Sequence, residues 1–156
     1  MRRPARRIGA AALALGLSAL CLDAARAQDV HQDTDISGAW TLQTKVFYGN
    51  CRMTGELELI PTQTPGEYVG RLDTHQRCGY GAAAVLDTRT EQAVRAVRDE
   101  DRLTITSSLE AVSPEWVSYA PDDFELEIVD GSLMSGELHG FSVIPARFKR
   151  GSTPLA

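Results

Sequence analysis

The sequence predicts an all-β domain of seven to eight strands, folded as a single antiparallel up-and-down barrel or a barrel-like sandwich. Apolar and polar residues alternate through most of the chain after Gly38, which is typical of a sheet with one buried and one wetted face. Tight-turn signals separate the alternating runs and leave few candidates for crossover helices. Closing such a sheet into a barrel removes its exposed edges.

The first two strands are predicted from the clearest alternation in the chain. Apolar residues alternate with polar ones from Trp40 to Tyr48, and again from Cys51 to Ile60. Gly49 and Asn50, which separate these two runs, form a turn signal. We therefore expect the two runs to pair as a hairpin.

The middle of the chain is less regular. Residues 61–67 contain two prolines and a glycine, which predicts a loop, and a third short strand follows at residues 68–72. Residues 82–98 fit two interpretations, because Ala93, Val94 and Val97 have a spacing that suits a helix as well as a strand. We therefore expect either a strand or a short helix within this segment.

The remaining strands are predicted at residues 94–98, 102–109, 124–128, 133–138 and 141–150, most of them from renewed alternation. Turn signals at residues 99–101 and 130–131 separate the members of the two hairpins. Pro145 lacks a backbone N–H, so it indicates an edge position or a bulge in the last strand.

The amino-terminal segment predicts export. Residues 1–27 combine four early arginines, an apolar stretch at residues 8–22 that is too short to span a bilayer, and a terminal A-x-A processing site. We expect a cleavable signal peptide and a mature periplasmic or extracellular protein that begins at Gln28 and is not inserted in a membrane. Lipid attachment at Cys21 is disfavoured, because Leu20 occupies a position that prefers a small residue. The export route, Sec or twin-arginine, stays open.

The mature chain is predicted to form one domain. Residues 28–35 are polar and acidic, which predicts a flexible arm, and residues 151–156 are predicted as a disordered tail. Between them, residues 36–150 are long enough to bury a single core as one β-barrel domain.

The charge of the mature chain limits its partners. Removing the five arginines and Asp23 of the signal peptide leaves 11 basic and 20 acidic residues, a net charge of −9. Such a surface has no basic patch to neutralise phosphates, so nucleic acids and anionic membranes are not expected partners. The sequence contains no cofactor motif and no metal-ligand spacing, so we expect neither a cofactor nor a metal.

Two cysteines, Cys51 and Cys78, remain after signal cleavage. An even number in an oxidising compartment predicts a disulfide bond between them. Closing this loop is expected to stabilise the fold by about 3 to 4 kcal/mol. A metal-binding pair and a reactive thiol are the alternatives, and neither has supporting ligands nearby in the sequence.

Gly38-Ala39-Trp40, at the start of the first predicted strand, resembles the G-x-W signature of calycin-like barrels: lipocalins, avidins and small periplasmic metalloprotease inhibitors. In lipocalins, the tryptophan closes one barrel end under a basic residue of the last strand, and the resemblance gives this part to Arg147 or Arg150 through a cation-π contact. The inhibitors are similar in their signal peptide, first-strand tryptophan and single disulfide, whose counterparts would be Cys51 and Cys78. The resemblance concerns the shape of the mature chain and transfers no functional residue.

The candidate binding surface is a proline-flanked loop at residues 113–123. Trp116 and Tyr119 in this loop are large amphipathic side chains of the kind that contact partners at a barrel mouth, with core packing as the alternative. The acidic clusters at residues 99–101 and 122–123 are more typical of solvated turns than of calcium sites.

No catalytic residue is predicted. The three histidines, His31, His75 and His139, are scattered, and no serine lies in a nucleophile motif. Glu56 and Glu58 lie on the same side of one predicted strand, and Glu125 and Glu127 on the same side of another. Such pairs could serve as two catalytic acids, but they are also typical of the exposed face of an acidic sheet.

Three functional hypotheses follow. The first is an exported, non-enzymatic barrel that binds a small apolar ligand or a protein partner, and the second is a periplasmic protease inhibitor that uses its arm or the Trp116 loop. The third is a small barrel-cavity hydrolase or isomerase built around His139 or paired glutamates. A large apolar cavity favours a ligand, a solid interior favours a protein partner, and a buried group with a shifted pKa in a cleft favours an enzyme.

Overall fold

A computed structural model describes residues 34–80 and 83–151 of the 156-residue chain. The signal peptide expected at residues 1–27 lies outside the described residues. The same is true of residues 28–33 of the expected arm and residues 152–156 of the expected tail.

Eight antiparallel strands form a closed barrel in which each strand pairs with its neighbours in sequence and the last strand pairs with the first. The strands are β1 (Gly38–Thr44), β2 (Arg52–Pro61), β3 (Glu67–Tyr80), β4 (Ala83–Asp99), β5 (Arg102–Ser113), β6 (Asp123–Asp130), β7 (Leu133–His139) and β8 (Val143–Arg150). This confirms the all-β up-and-down barrel. No helix in residues 34–80 or 83–151 has the length and apolar character needed to span a membrane.

The short helix considered within residues 82–98 is wrong, because the described residues of this segment belong to β4. From Leu86 onward, where the side chains of β4 are described, the buried positions are Thr88, Thr90, Gln92, Val94 and Ala96. The period of two is therefore intact, but three successive inward residues in the middle of the strand are polar. An apolar pattern alone cannot show such a strand.

The first hairpin also differs from the prediction. β1 ends at Thr44, and a single turn of 3-10 helix at Tyr48–Asn50 precedes β2. Val46 and Tyr48 are exposed instead of continuing the inward face. Asn50, part of the predicted turn signal, has φ of 55°, a left-handed conformation that asparagine tolerates better than most residues.

The two ends of the barrel carry different chemistry. In an up-and-down barrel, the β1–β2, β3–β4, β5–β6 and β7–β8 connections all lie at one end. We call this the disulfide end, because the bond between Cys51 and Cys78 joins the residue before β2 to β3 there and confirms the predicted pairing. The opposite end, where β1 begins at Gly38 and β8 ends, is the tryptophan end.

The core towards the tryptophan end is apolar and closely packed. Trp40, Phe124 and Phe148 are completely buried, and the two phenylalanine rings meet edge to face with centroids 5.1 Å apart. Two glycines permit this packing, since a Cβ at Gly70 would collide with the carbonyl of Glu58 on the neighbouring strand, and Gly136 is similarly confined.

Trp40 closes its end of the barrel. Its indole Nε1 donates a hydrogen bond of 2.9 Å to the carbonyl of buried Ile36, and the guanidinium of Arg150 lies over the ring, 4.6 Å from its centroid. Arg147, the other candidate of the resemblance, pairs with Gln43 of β1, whereas Arg150 pairs with Trp40 itself. Gly38 of the G-x-W motif has φ of 100°, which other residues rarely adopt.

The segment before β1 is fastened to this closure. Arg150 donates hydrogen bonds to the backbone carbonyls of Asp35 and Ser37. The carbonyl of Thr34 accepts a hydrogen bond of 2.7 Å from Arg98. Thr34 and Asp35, the last residues of the expected arm, are thus bonded to the barrel.

Replacing Arg150 by glutamine is expected to destabilise the protein by about 1 to 3 kcal/mol, because it removes the cation-π contact and charge-assisted hydrogen bonds to carbonyls. Arg147→Gln on the same strand is the matched control and should change the free energy of unfolding by less than about 0.5 kcal/mol. Urea denaturation of both variants measures the difference. Equal losses in the two variants would contradict the assigned role of Arg150.

Candidate functional site

One part of the barrel interior near the disulfide end is polar. The hydroxyls of Thr74 on β3 and Thr90 on β4 are 2.7 Å apart, and Nε2 of Gln92 donates to Thr90 at 2.9 Å and to Oδ2 of Asp122 at 2.7 Å. The backbone N–H of Asp122 returns a hydrogen bond of 2.9 Å to Oε1 of Gln92. Tyr119 donates its hydroxyl to the Asp122 carboxylate, 2.8 Å from Oδ2 and 3.1 Å from Oδ1. We call these five residues the Asp122 network.

Asp122 is unusual because it is an acid inside a barrel. Its exposed fraction is 3%, and burial raises the pKa of its carboxyl from 3.8 to about 6, although hydrogen bonds from Gln92 and Tyr119 oppose the shift. Burial and the neighbouring Asp122 carboxylate also raise the pKa of the Tyr119 hydroxyl. The interpretation of residues 122–123 as a solvated turn is therefore wrong for Asp122.

The raised pKa of Asp122 makes stability depend on pH. The folded protein keeps a proton that the unfolded chain releases above about pH 4, so this stabilisation is complete at lower pH and is lost as the pH rises through about 6. The loss amounts to about 3 kcal/mol. Asp122→Asn should remove it, so the stability of the wild type relative to this variant should fall between pH 4 and pH 7.

Urea denaturation of both proteins at several pH values measures this effect. Glu125→Gln, which removes an exposed carboxyl from the outside of β6, reports the general effect of removing one negative charge. If the free energies of unfolding of the wild type and Asp122→Asn differ by the same amount at every pH, the pKa of Asp122 is not raised in the folded protein, and the account of this residue is wrong.

A narrow cavity of about 70 Å³ adjoins the Asp122 network at the disulfide end. Its walls are formed by Phe47, Met53, Gln76, Tyr119, Ala120, Asp122, Leu138, Gly140, Phe141, Ser142 and Ile144. Gly140, Phe141 and Ser142 are exposed, so the cavity opens to the outside at the β7–β8 connection. This is far smaller than the several hundred cubic ångströms, about 300 or more, of a typical ligand pocket.

Three large aromatic side chains are exposed at the disulfide end. Tyr48 in the β1–β2 connection is 92% exposed, Trp116 in the β5–β6 connection 78%, and Phe141 in the β7–β8 connection 81%. We call Tyr48, Trp116 and Phe141 the rim aromatics. The sequence pointed to Trp116 and Tyr119, but Tyr119 is turned inward, where it packs against the core and bonds to Asp122.

The other side chains weighed as catalytic lie elsewhere. Nε2 of His75 is 2.7 Å from Asp87, on the partly exposed outer face, and Nε2 of His139 is 3.8 Å from Glu137. His31 lies outside the described residues. Glu125 and Glu127 are exposed on the outside of β6, and Glu56 and Glu58 also alternate with the buried positions of β2. The structure does not bring these groups together with the cavity.

The acidic cluster at residues 99–101 lies at the exposed β4–β5 turn of the tryptophan end. Among residues 34–80 and 83–151, no three histidine, cysteine or acidic side chains come together as a metal site would require.

The polar residues of the Asp122 network were missed at the sequence level. The signal that could have found them is Thr88-Arg89-Thr90-Glu91-Gln92, in which threonine and glutamine recur at every second position. Such a run predicts a polar inward face only once the segment is known to be a strand.

The chain matches no protein-family model, and no curated protein sequence matches it. Among solved structures it is similar to a de novo designed fluorescence-activating β-barrel, with a TM-score of 0.48, 14% sequence identity, and coverage of 74% of this chain and 93% of the designed one. The strand order itself defines the protein as a small closed up-and-down β-barrel. The finer resemblance to calycins stays an expectation.

Proposed function

We propose that this protein is an exported, non-enzymatic barrel that binds a protein partner at its disulfide end. The observation that carries the proposal is that three large aromatic side chains, each more than three-quarters exposed, lie in three connections of one end. Exposed tyrosine and tryptophan are the side chains most enriched in the energetic centres of protein interfaces.

The described interior favours a protein over a small apolar ligand. Inward side chains fill the barrel from Trp40 to Phe124, and the described cavity at the rim has a volume of only about 70 Å³. A drug-sized ligand needs several times this volume. A protein partner needs no internal cavity, because it can bind to the rim aromatics from outside.

Export is supported by the disulfide bond. The Cys51–Cys78 bond suits an oxidising compartment, since intracellular thiols are kept reduced in most organisms. Together with the composition of residues 1–27, it favours a periplasmic or extracellular site of action.

An enzyme is disfavoured by the surroundings of Asp122. A buried carboxyl with a raised pKa is common at active sites, but the hydroxyl beside Asp122, that of Tyr119, is held to it by a hydrogen bond of 2.8 Å and has a raised pKa, which makes it a poor base or nucleophile. The described residues that line the cavity include no histidine, cysteine or lysine. The hydrogen bonds of Asp122 instead hold the Tyr119 loop against the barrel.

The inhibitor hypothesis is a special case of the same proposal. The exposure of Trp116 favours it, because a loop that blocks a protease must project from its scaffold. In that case the partner at the rim is a protease, and the protein inhibits it when the two are mixed.

Site-specific photo-crosslinking in the envelope of the producing cell tests the proposal. A photoreactive residue in place of Trp116 is expected to trap a partner polypeptide, whereas the same residue in place of Val97, exposed on the outside of β4, should not. Replacing Tyr48 and Phe141 by serine in the Trp116 probe should reduce the trapped product at least tenfold, because aromatic anchors dominate interface energetics.

The matched control replaces two exposed aliphatic residues, Ile60 and Val69, by serine in the same Trp116 probe. This control should leave the product unchanged. Equal trapping at positions 116 and 97, or no trapping at either position, would contradict the proposal.

A further inference from the structure

No side chain in the described part of the chain acts as a counter-ion for Asp122. Asp122 is nine-tenths buried, and among the described residues the charged group that acts on it is Asp123, which has the same sign. None of the ion pairs between described side chains includes it. Buried charges in proteins are normally paired with an opposite charge, because hydrogen bonds alone offset only part of the desolvation cost.

One oxygen of this carboxylate has spare capacity to accept hydrogen bonds. Oδ2 accepts short bonds from Gln92 and Tyr119, whereas the bond of Tyr119 to Oδ1 is longer, at 3.1 Å. The hydroxyl of Thr74 also bonds to this carboxyl, so three side chains serve its two oxygens. A carboxylate oxygen can accept about two hydrogen bonds. Oδ1 lies on the side of Gly140, where a Cβ would stand 3.8 Å from it.

The cavity beside Asp122 has a distinct polarity. Apolar side chains form most of its wall, namely those of Phe47, Met53, Leu138, Phe141 and Ile144. The carboxylate of Asp122 is the one charged group among its described lining residues. The cavity therefore suits a group with an apolar stem and a positively charged tip.

The size of the cavity limits the length of that group. One water needs about 10 to 15 Å³ by the same measure, so a cavity of about 70 Å³ admits on the order of five non-hydrogen atoms. A four-carbon chain that ends in an ammonium has this size. Its tip carries three N–H donors, and the net negative charge of the chain, −5, favours the approach of cations.

We propose that this cavity, the Asp122 pocket, binds an alkylammonium group whose nitrogen donates a hydrogen bond to Oδ1 of Asp122 and whose stem packs between Phe47, Phe141 and Ile144. The pocket opens beside Phe141, one of the rim aromatics. A lysine side chain of the protein partner is therefore one source of the group, and this part of the inference rests on the proposed function. A free aliphatic amine is the other source.

Titration of the intact, disulfide-bonded protein followed by amide NMR tests the pocket. Butylammonium is expected to cause saturable shifts at Gly140 and Asp122, and butanol, which has the same number of non-hydrogen atoms and no charge, should bind at least tenfold more weakly. Asp122→Asn keeps an acceptor for Gln92 and Tyr119 but removes the charge, so it should weaken butylammonium binding at least tenfold.

A second pair of variants separates the pocket from the fold. Gly140→Val fills the space beside Oδ1 and should abolish the shifts, whereas Gly131→Val in the β6–β7 turn at the tryptophan end should leave binding unchanged. Equal binding of butanol and butylammonium, or unchanged binding in Asp122→Asn, would overturn the inference, and so would the absence of saturable shifts.

A further titration distinguishes the two sources. Nα-acetyl-lysine amide should bind as tightly as butylammonium if the pocket accepts a side chain of a partner protein. Binding of butylammonium alone supports the pocket with a free amine as its ligand. Because neither titration contains a partner protein, a failure here is distinct from a failure of photo-crosslinking at Trp116.

Discussion

Trp40→Ala is expected to destabilise the folded protein by about 3 to 5 kcal/mol, the range for removing a large aromatic side chain from a core. Trp40 is completely buried, and its indole N–H bonds to Ile36 at 2.9 Å while Arg150 covers the ring. The alanine leaves a cavity at the tryptophan end, frees the carbonyl of Ile36 and exposes the core beside Phe148.

Urea denaturation measures this loss, and the other tryptophan provides the control. Trp116 is 78% exposed, so Trp116→Ala should change the free energy of unfolding by less than about 0.5 kcal/mol. Trp40→Phe keeps an aromatic ring but loses the indole N–H, so its loss of unfolding free energy should lie between those of Trp40→Ala and Trp116→Ala. Similar losses for Trp40→Ala and Trp116→Ala would mean that the barrel is not closed by Trp40.

Removing the disulfide bond by the double substitution Cys51→Ala and Cys78→Ala is expected to cost about 3 to 4 kcal/mol. The bond joins residues that are 27 positions apart, and its loss frees the unfolded chain to adopt more conformations. The cost is a large part of the total stability of a domain of this size.

Denaturation of the wild type with and without a reducing agent gives an independent value for the same bond. The reduced wild type and the double variant should lose the same free energy within about 1 kcal/mol. If both losses of unfolding free energy are near zero, the disulfide bond does not constrain the unfolded chain. Because the bond lies at the same end as the rim aromatics, its loss should also weaken partner binding in the crosslinking experiment.

The barrel could be predicted from the sequence wherever inward positions are apolar. Phe124, Leu126 and Ile128 alternate with acidic residues and form β6 as expected, and the chain reverses directly after Asp130, at residues 131–132. The choice between Arg147 and Arg150 could not be made from sequence, because it depends on the register of β1 against β8. Trp40 pairs directly with Arg150 across the closure, between strands at opposite ends of the chain.

The candidate site was less predictable for a physical reason. Gln92 and Asp122 are 30 residues apart and meet only because β4 and the start of β6 face the same interior. The inward positions of β4 include Thr88, Thr90 and Gln92, which are polar and do not show the apolar alternation of a strand. From the sequence, this segment could therefore be a strand or a short helix. The sequence predicts that Tyr119 belongs to an exposed binding loop. In the structure its side chain points inward, because its hydroxyl bonds to the buried carboxylate of Asp122. Nothing in the sequence distinguishes Asp122 from the acidic residue of an ordinary exposed turn.

Native mass spectrometry of the protein isolated gently from the envelope of the cell that produces it tests most directly whether this barrel binds a protein partner at its disulfide end. The account predicts a complex with a second polypeptide, which is lost when Tyr48, Trp116 and Phe141 are replaced by serine and is kept when Ile60, Val69 and Val97 are replaced instead. A bound small molecule in both variants, without any second polypeptide, would contradict it.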